Sequence, residues 1–108
     1  MKEALCHLAD IVAKANDRFF VLHPNVKTLM GIMDKTLRKQ GMQADAVTLD
    51  CISLDKKMVM LIHDHKPNNI DVALGNKAGE IASRCQYHRN ELCETVMLAI
   101  MEDTFINQ

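Results

Sequence analysis

The triplet His63-Asp64-His65 contains the residue types best suited to chemistry in this chain of 108 residues. If the triplet lies in a β-strand, both histidines point to one face, where they could share a metal ion or one imidazole could act as a base. The spacing fixes no third ligand, which a zinc site would need. We therefore favour a cross-strand pair at His63 and a solvated turn at His65, and keep a small metal-dependent enzyme as an alternative.

Cys85 and His88 form the second candidate combination, because residues three apart are neighbours on a helix. A catalytic thiolate would need an exposed sulfur beside positive charge, which Arg84, His88 and Arg89 could supply. The cysteine also continues an apolar stripe that starts at Ile81. We therefore favour a small core residue at Cys85 and keep a thiol enzyme as an alternative.

The cysteines and methionines do not indicate a metal or a cofactor. None of the four cysteines belongs to a CxxC pair, and the eight methionines fall mainly at the spacing of core residues. We expect free thiols, a deformable apolar core, and neither a bound metal nor a cofactor.

Composition and charge are those of an ordinary globular domain. Hydrophobic residues make up 48% of the chain, charged residues 25%, and the formal net charge is −1. We predict one domain over residues 1–108, located in the cytoplasm, because the first residues do not resemble a signal peptide and the apolar runs are short. Membrane and nucleic-acid binding are not expected, although Lys35 and Arg38 in a dimer leave a DNA-binding regulator as a further alternative.

Residues 3–22 are predicted to form an amphipathic helix, because their apolar side chains recur three and four residues apart. The stripe consists of Leu5, Leu8, Val12, Ala15, Phe19 and Leu22. Asn16 and Asp17 are weak helix formers, so residues 19–22 could instead form a separate strand. The unbroken stripe favours the helix.

A second helix is predicted after Pro24, which interrupts the first helix and suits the first turn of the next. Apolar residues recur at helical spacing from Val26 to Leu37, and Gly41 is a typical C-terminal stop. Residues 3–40 are therefore expected to form a helical hairpin.

Three short strands are then predicted at residues 46–54, 57–64 and 70–75, where the apolar period changes to two. A two-residue turn at Asp55-Lys56 would place Cys51 opposite Met60 and Leu49 opposite Ile62. A five-residue loop would place Ile62 opposite Val72 and Met60 opposite Leu74. This register gives one apolar face, made of Val47, Leu49, Cys51, Met58, Met60, Ile62, Val72 and Leu74.

The other face of this meander mixes polar and apolar residues. The same register places Asp71 opposite His63, with Thr48 on its other side. The predicted ligand or partner surface consists of His63, His65, Asp71, Thr48 and Asp50. Ile52, Val59 and Leu61 on that face would be unfavourable in water, so we expect a cover.

A last helix is predicted over residues 80–103, from the spacing of Ile81, Cys85, His88 and Leu92. Residues 96–101 are apolar around the whole circumference, which indicates burial on every side. A second copy of the chain is the expected cover, through an interface that includes Ile52, Val59, Leu61, Met97 and Met101.

The sequence thus predicts an α+β fold of order α-α-β-β-β-α, with a helical hairpin, a three-stranded antiparallel meander and a C-terminal helix. By elimination, we expect a non-enzymatic binding or regulatory module that acts as a homodimer and has a possible protein partner. Its working surface would be the helical hairpin or a groove beside the last helix.

Overall fold

The first helix of the computed structural model, which describes residues 2–107, confirms the predicted apolar stripe. This helix, α1, spans Glu3–Leu22, and residues 19–22 belong to it rather than to a strand. Five stripe residues are buried, whereas Leu22 is 55% exposed. From Leu5 to Phe19 the stripe therefore packs on the core for about four turns, and it leaves the core at its last residue.

One antiparallel sheet of five strands follows, in which each strand pairs with the next along the chain. After α1 the elements are β1 (Leu29–Met33), α2 (Thr36–Lys39), β2 (Ala44–Cys51), β3 (Lys56–His63), β4 (Asn69–Gly75), β5 (Ile81–His88) and α3 (Glu94–Phe105). The predicted class, α+β, is confirmed, but the predicted helical hairpin and three-stranded meander are wrong.

The predicted second helix is in fact the edge strand β1 followed by the single turn α2. Gly31 lies at the centre of β1, opposite Thr48, and a Cβ on it would come within 2.8 Å of the Thr48 hydroxyl. Glycine is a poor helix former, and β2 supplies this segment with the hydrogen bonds that a helix would otherwise provide. Pairing with β2 therefore decides the structure of this segment against its helical spacing.

The last helix was predicted to begin at residue 80, but α3 begins fourteen residues later, at Glu94. The strand β5 occupies the first part of the predicted helix. Within β5, Cys85 pairs with Val72 and Tyr87 with Ile70. Alternate residues of a strand share a face, so Cys85 and Tyr87 lie on the same face of the sheet. The sequence of β5 contains a helical and a strand pattern at once, and β4 selects the strand.

The central strands have the predicted faces but not the predicted pairs. Leu49 pairs with Met58 rather than with Ile62, because β2 ends in a 3₁₀ turn, Ile52–Leu54, and Asp55 adopts a left-handed conformation with φ 50°. Met60 pairs with Val72 rather than with Leu74. Both differences shift the register by an even number of residues, which leaves the side chains of the paired residues on their predicted faces.

The core lies between one face of the sheet and the helices α1 and α3. Phe19 of α1 and Phe105 of α3 meet edge to face with ring centroids 6.0 Å apart, and both are buried. Met97 and Met101 are fully buried in the same core. Among the described residues, no helix combines the length and apolar character that crossing a membrane requires.

Candidate functional site

The sheet face opposite α1 and α3 forms a cavity of about 660 Å³, which we call the open-face groove. Its apolar lining includes Met33, Leu37, Met42, Val59, Leu61 and Ile81. Val59 and Leu61 form the floor on the central strand β3, while α2 closes one end and β5 the other. The expected uncovered apolar face therefore exists, as a concave surface.

Charged side chains line the groove unequally. Three cations, Lys57, Lys77 and Arg84, lie there together with two carboxylates, Asp71 and Glu80. Both carboxylates already accept hydrogen bonds, Asp71 from Gln86 at 2.8 Å and Glu80 from Asn76 at 3.0 Å. Within residues 2–107, neither Arg84 nor Lys77 forms an ion pair. Three cations against two carboxylates give the lining a formal charge of +1, and Lys57 also lies 3.9 Å from Asp50, which is outside the groove.

Three of the five predicted surface residues lie together. His63 Nε2 is 3.4 Å from an oxygen of Asp71, and the rings of His63 and His65 are 5.7 Å apart between centroids. Asp71 reaches His63 diagonally, because its direct partner in the sheet is Leu61. No group of three or more possible metal ligands is present in the described part of the chain.

The other two predicted surface residues lie elsewhere. Thr48 is buried and pairs with Val59, while Ala44 takes the position beside His63 that Thr48 was expected to hold. Asp50 lies 3.9 Å from Lys57. The difference follows from the register of β2, which ends earlier than the sequence pattern indicated.

Cys85 and His88 do not form a pair of neighbours. On a strand, residues three apart point to opposite faces, so the two side chains diverge. Cys85 is exposed rather than part of the core. On its own face it accompanies Tyr87, whose pKa is raised first by burial and then by a hydrogen bond with Cys85.

The five residues predicted for an interface lie in three different places. Val59 and Leu61 line the open-face groove, and Ile52 is exposed in the 3₁₀ turn after β2. Met97 and Met101 are fully buried inside the chain. The accessible residues of this set are therefore Ile52, Val59 and Leu61, and not those on α3.

An ion cluster that the sequence analysis missed fixes α2 at the end of the groove. Arg38 donates to Asp45 at 3.1 and 2.9 Å and to Asp64 at 2.8 Å twice, and Lys2 donates to Asp64 at 2.7 Å. Leu37, next to Arg38, lines the groove. Lys2, Arg38 and Asp64 are far apart in sequence, and the cluster carries no motif, so only the fold brings these residues together. The cluster also engages the arginine that the DNA-binding alternative required.

We expect Asp64→Asn to make the free energy of unfolding depend less on pH under acidic conditions. Arg38, and after it Lys2, holds the pKa of Asp64 well below the usual value of 3.8. The unfolded chain therefore binds more protons than the folded chain near and below pH 3.8, and the free energy of unfolding falls as the pH falls. Urea unfolding over a pH series measures this slope, which should be smaller in the variant. Parallel pH profiles for the variant and the parent chain would contradict the assignment.

The open-face groove offers an apolar floor, a cationic rim at Arg84 and a width set by α2 and β5. Such a site can bury an apolar body while an anionic group meets the guanidinium. Comparison of the chain with protein-family models, with curated proteins and with solved structures finds no match.

Proposed function

We propose that the protein is a non-enzymatic binding module that acts as a homodimer and holds a small apolar carboxylate in the open-face groove. The observation that carries the proposal is the groove itself, an apolar cavity of about 660 Å³ with an arginine that has no ion-pair partner within residues 2–107. Cavities of roughly 300–1,000 Å³ are typical of sites for small molecules.

The apolar part of the ligand follows from the floor of the groove. Val59 and Leu61 are only partly buried, and Ile81 is half exposed. Each Å² of apolar surface removed from water contributes about 25 cal/mol, so an apolar chain lying on these side chains gains affinity in proportion to the area it covers.

The anionic part follows from the charges. The neutral amides of Gln86 and Asn76 donate to Asp71 and Glu80, and neither carboxylate forms an ion pair with Arg84 within residues 2–107. Arg84 presents a planar fork of donors that matches a carboxylate, and a hydrogen bond between two charged groups is stronger than a neutral one. A ligand with a carboxylate at one end therefore complements the groove better than a neutral or cationic one.

Isothermal titration calorimetry with two probes of equal chain length, decanoate and decyltrimethylammonium, tests the ligand class. We expect decanoate to bind and the cation to bind at least about tenfold more weakly. Arg84→Gln should lower the affinity for decanoate by about tenfold, because it removes the charge-assisted hydrogen bonds. Arg89→Gln is the matched control, since Arg89 pairs with Glu3 and does not line the groove. Equal binding of both probes, or of neither, would reject the proposed ligand.

The homodimer is supported by β5, a strand of eight residues of which only Tyr87 is even partly buried. An unpaired strand edge readily pairs with another chain. Native mass spectrometry should show a species of twice the 12.2 kDa chain mass. A monomer at every concentration tested would reject the proposed homodimer but would not contradict the proposed ligand site in the open-face groove.

A further inference from the structure

The hydrogen bonds of β5 show which of its residues point away from the sheet. The backbone N–H of Arg89 donates to the carbonyl of Asn68 at 2.7 Å, so the next pair along the ladder, Asn69 and His88, does not exchange hydrogen bonds. Because bonded and non-bonded pairs alternate, Cys85 bonds to β4, while Arg84 and Gln86 direct their N–H and C=O groups outward.

Two outward residues of β5 remain available for a partner. His88 also faces outward, but its N–H donates to the Glu91 carboxylate and its carbonyl accepts from the Glu91 N–H, both at 2.8 Å. Ala82 lies at the irregularity where β5 meets Leu74 and Gly75. In the regular part of the strand, the free outward backbone groups are therefore those of Arg84 and Gln86.

We infer that β5 pairs antiparallel with β5 of a second copy, about a two-fold axis at Cys85. Arg84 of each copy exchanges backbone hydrogen bonds with Gln86 of the other, and the two sheets become one sheet of ten strands. The inference rests on the proposed homodimer and names its interface. The second copy is the occupant that fits, because the two free residues are complementary to each other when the strand meets itself in antiparallel orientation.

Charge and hydrogen bonding favour a two-fold axis at Cys85 over an axis at Arg84 or at Gln86. An axis at Arg84 would set two guanidinium groups directly opposite each other, which is destabilising. An axis at Gln86 would need the backbone groups of His88, which Glu91 already engages. With the axis at Cys85, Arg84 of one copy lies opposite the neutral Gln86 of the other. Within each copy, the Gln86 side chain donates to Asp71 of β4 at 2.8 Å. No two like charges are then directly opposite each other across the interface.

The axis also brings two exposed thiols together. Directly opposed residues in a pair that does not exchange hydrogen bonds have Cα atoms about 4.5 Å apart. That distance lies within the range of about 4.4–6.8 Å that a disulfide bond spans. Cys85 is exposed, so an added oxidant can reach both sulfur atoms.

Cross-linking tests the register. In a chain carrying Cys6→Ser and Cys93→Ser, diamide should convert the protein to a covalent dimer on a non-reducing gel, and adding Cys85→Ser should abolish it. A matched variant carries Ser83→Cys together with Cys85→Ser. Ser83 lies four residues from its counterpart along the pair, about 13 Å away, so this variant should not cross-link. A dimer formed through position 83 and not through Cys85 would overturn the inferred axis.

A proline substitution tests the pairing without relying on sulfur. Gln86→Pro removes an N–H that points outward and leaves the backbone hydrogen bonds to β4 in place, whereas Gln86→Ala keeps that N–H. Both variants lose the side-chain hydrogen bond to Asp71, so they differ in the outward N–H. Sedimentation equilibrium should show a rise of at least about tenfold in the dimer dissociation constant for Gln86→Pro only. If the parent chain is monomeric, the proposed homodimer fails. If it is dimeric but neither the proline nor the cross-linking result is seen, the dimer stands and the β5 interface is rejected.

Discussion

Replacing Phe19 by alanine should lower the free energy of unfolding by about 3–5 kcal/mol, the usual cost of removing a buried phenylalanine. Phe19 is fully buried between α1 and α3, where its ring meets Phe105 at 6.0 Å and His23 at 5.0 Å between centroids. The cavity left behind would lie where the two helices touch, so they cannot close it without moving on the sheet. Urea unfolding followed by circular dichroism measures the loss.

Phe20→Ala is the matched control, because the two phenylalanines are adjacent on α1 and lose the same atoms. Phe20 is 56% exposed, so its replacement should cost well under half as much. Equal losses for the two variants would mean that the ring of Phe19 does not hold the two helices together.

The sequence was sufficient to predict those elements whose apolar pattern is compatible with only one type of secondary structure. The stripe of α1 is long enough to define a helix, and strict alternation in β3 fixes the face of Met58 and Met60 before their partners are known. The register of β2 could not be predicted, because the left-handed turn at Asp55 depends on where the strand ends.

β1 and β5 could not be predicted as strands because the apolar residues of both segments recur at helical spacing. Leu29 and Ile32 of β1 are exposed, so their spacing reflects no buried face. In β5, Cys85 was expected to be core and is exposed instead. A local pattern cannot report which neighbouring strand will supply hydrogen bonds, and pairing with β2 and β4 decides both cases.

The elements α2 and β5 explain why only part of the candidate site could be predicted. The floor of the groove, Val59 and Leu61, was predicted as an apolar surface in need of a cover. Its ends are built by α2 and β5, which the sequence analysis treated as parts of long helices. The concave shape, and with it the position of Arg84, therefore depends on long-range pairing.

The connection from β4 to β5 should be the most sensitive point of the groove. We expect Gly75→Ala to lower the free energy of unfolding by about 3 kcal/mol, the upper part of the usual range for an overpacked site. A Cβ at Gly75 would lie 2.2 Å from the backbone oxygen of Glu80 and 3.3 Å from the Cα of Ile81. Backbone atoms cannot rotate away as a side chain can, so the connection must open. Urea unfolding measures the loss.

Gly79→Ala is the control, because it lies in the same connection but has nothing within 4 Å of the added carbon. Its φ of 87° makes the substitution cost about 1 kcal/mol through backbone conformation alone. Gly75→Ala should also weaken the binding of decanoate, since Ile81 and Arg84 move with the start of β5. If Gly75→Ala is as stable as the parent chain, the close approach to Glu80 is not required by the fold. If it is destabilised but binds decanoate normally, the groove does not depend on the position of β5.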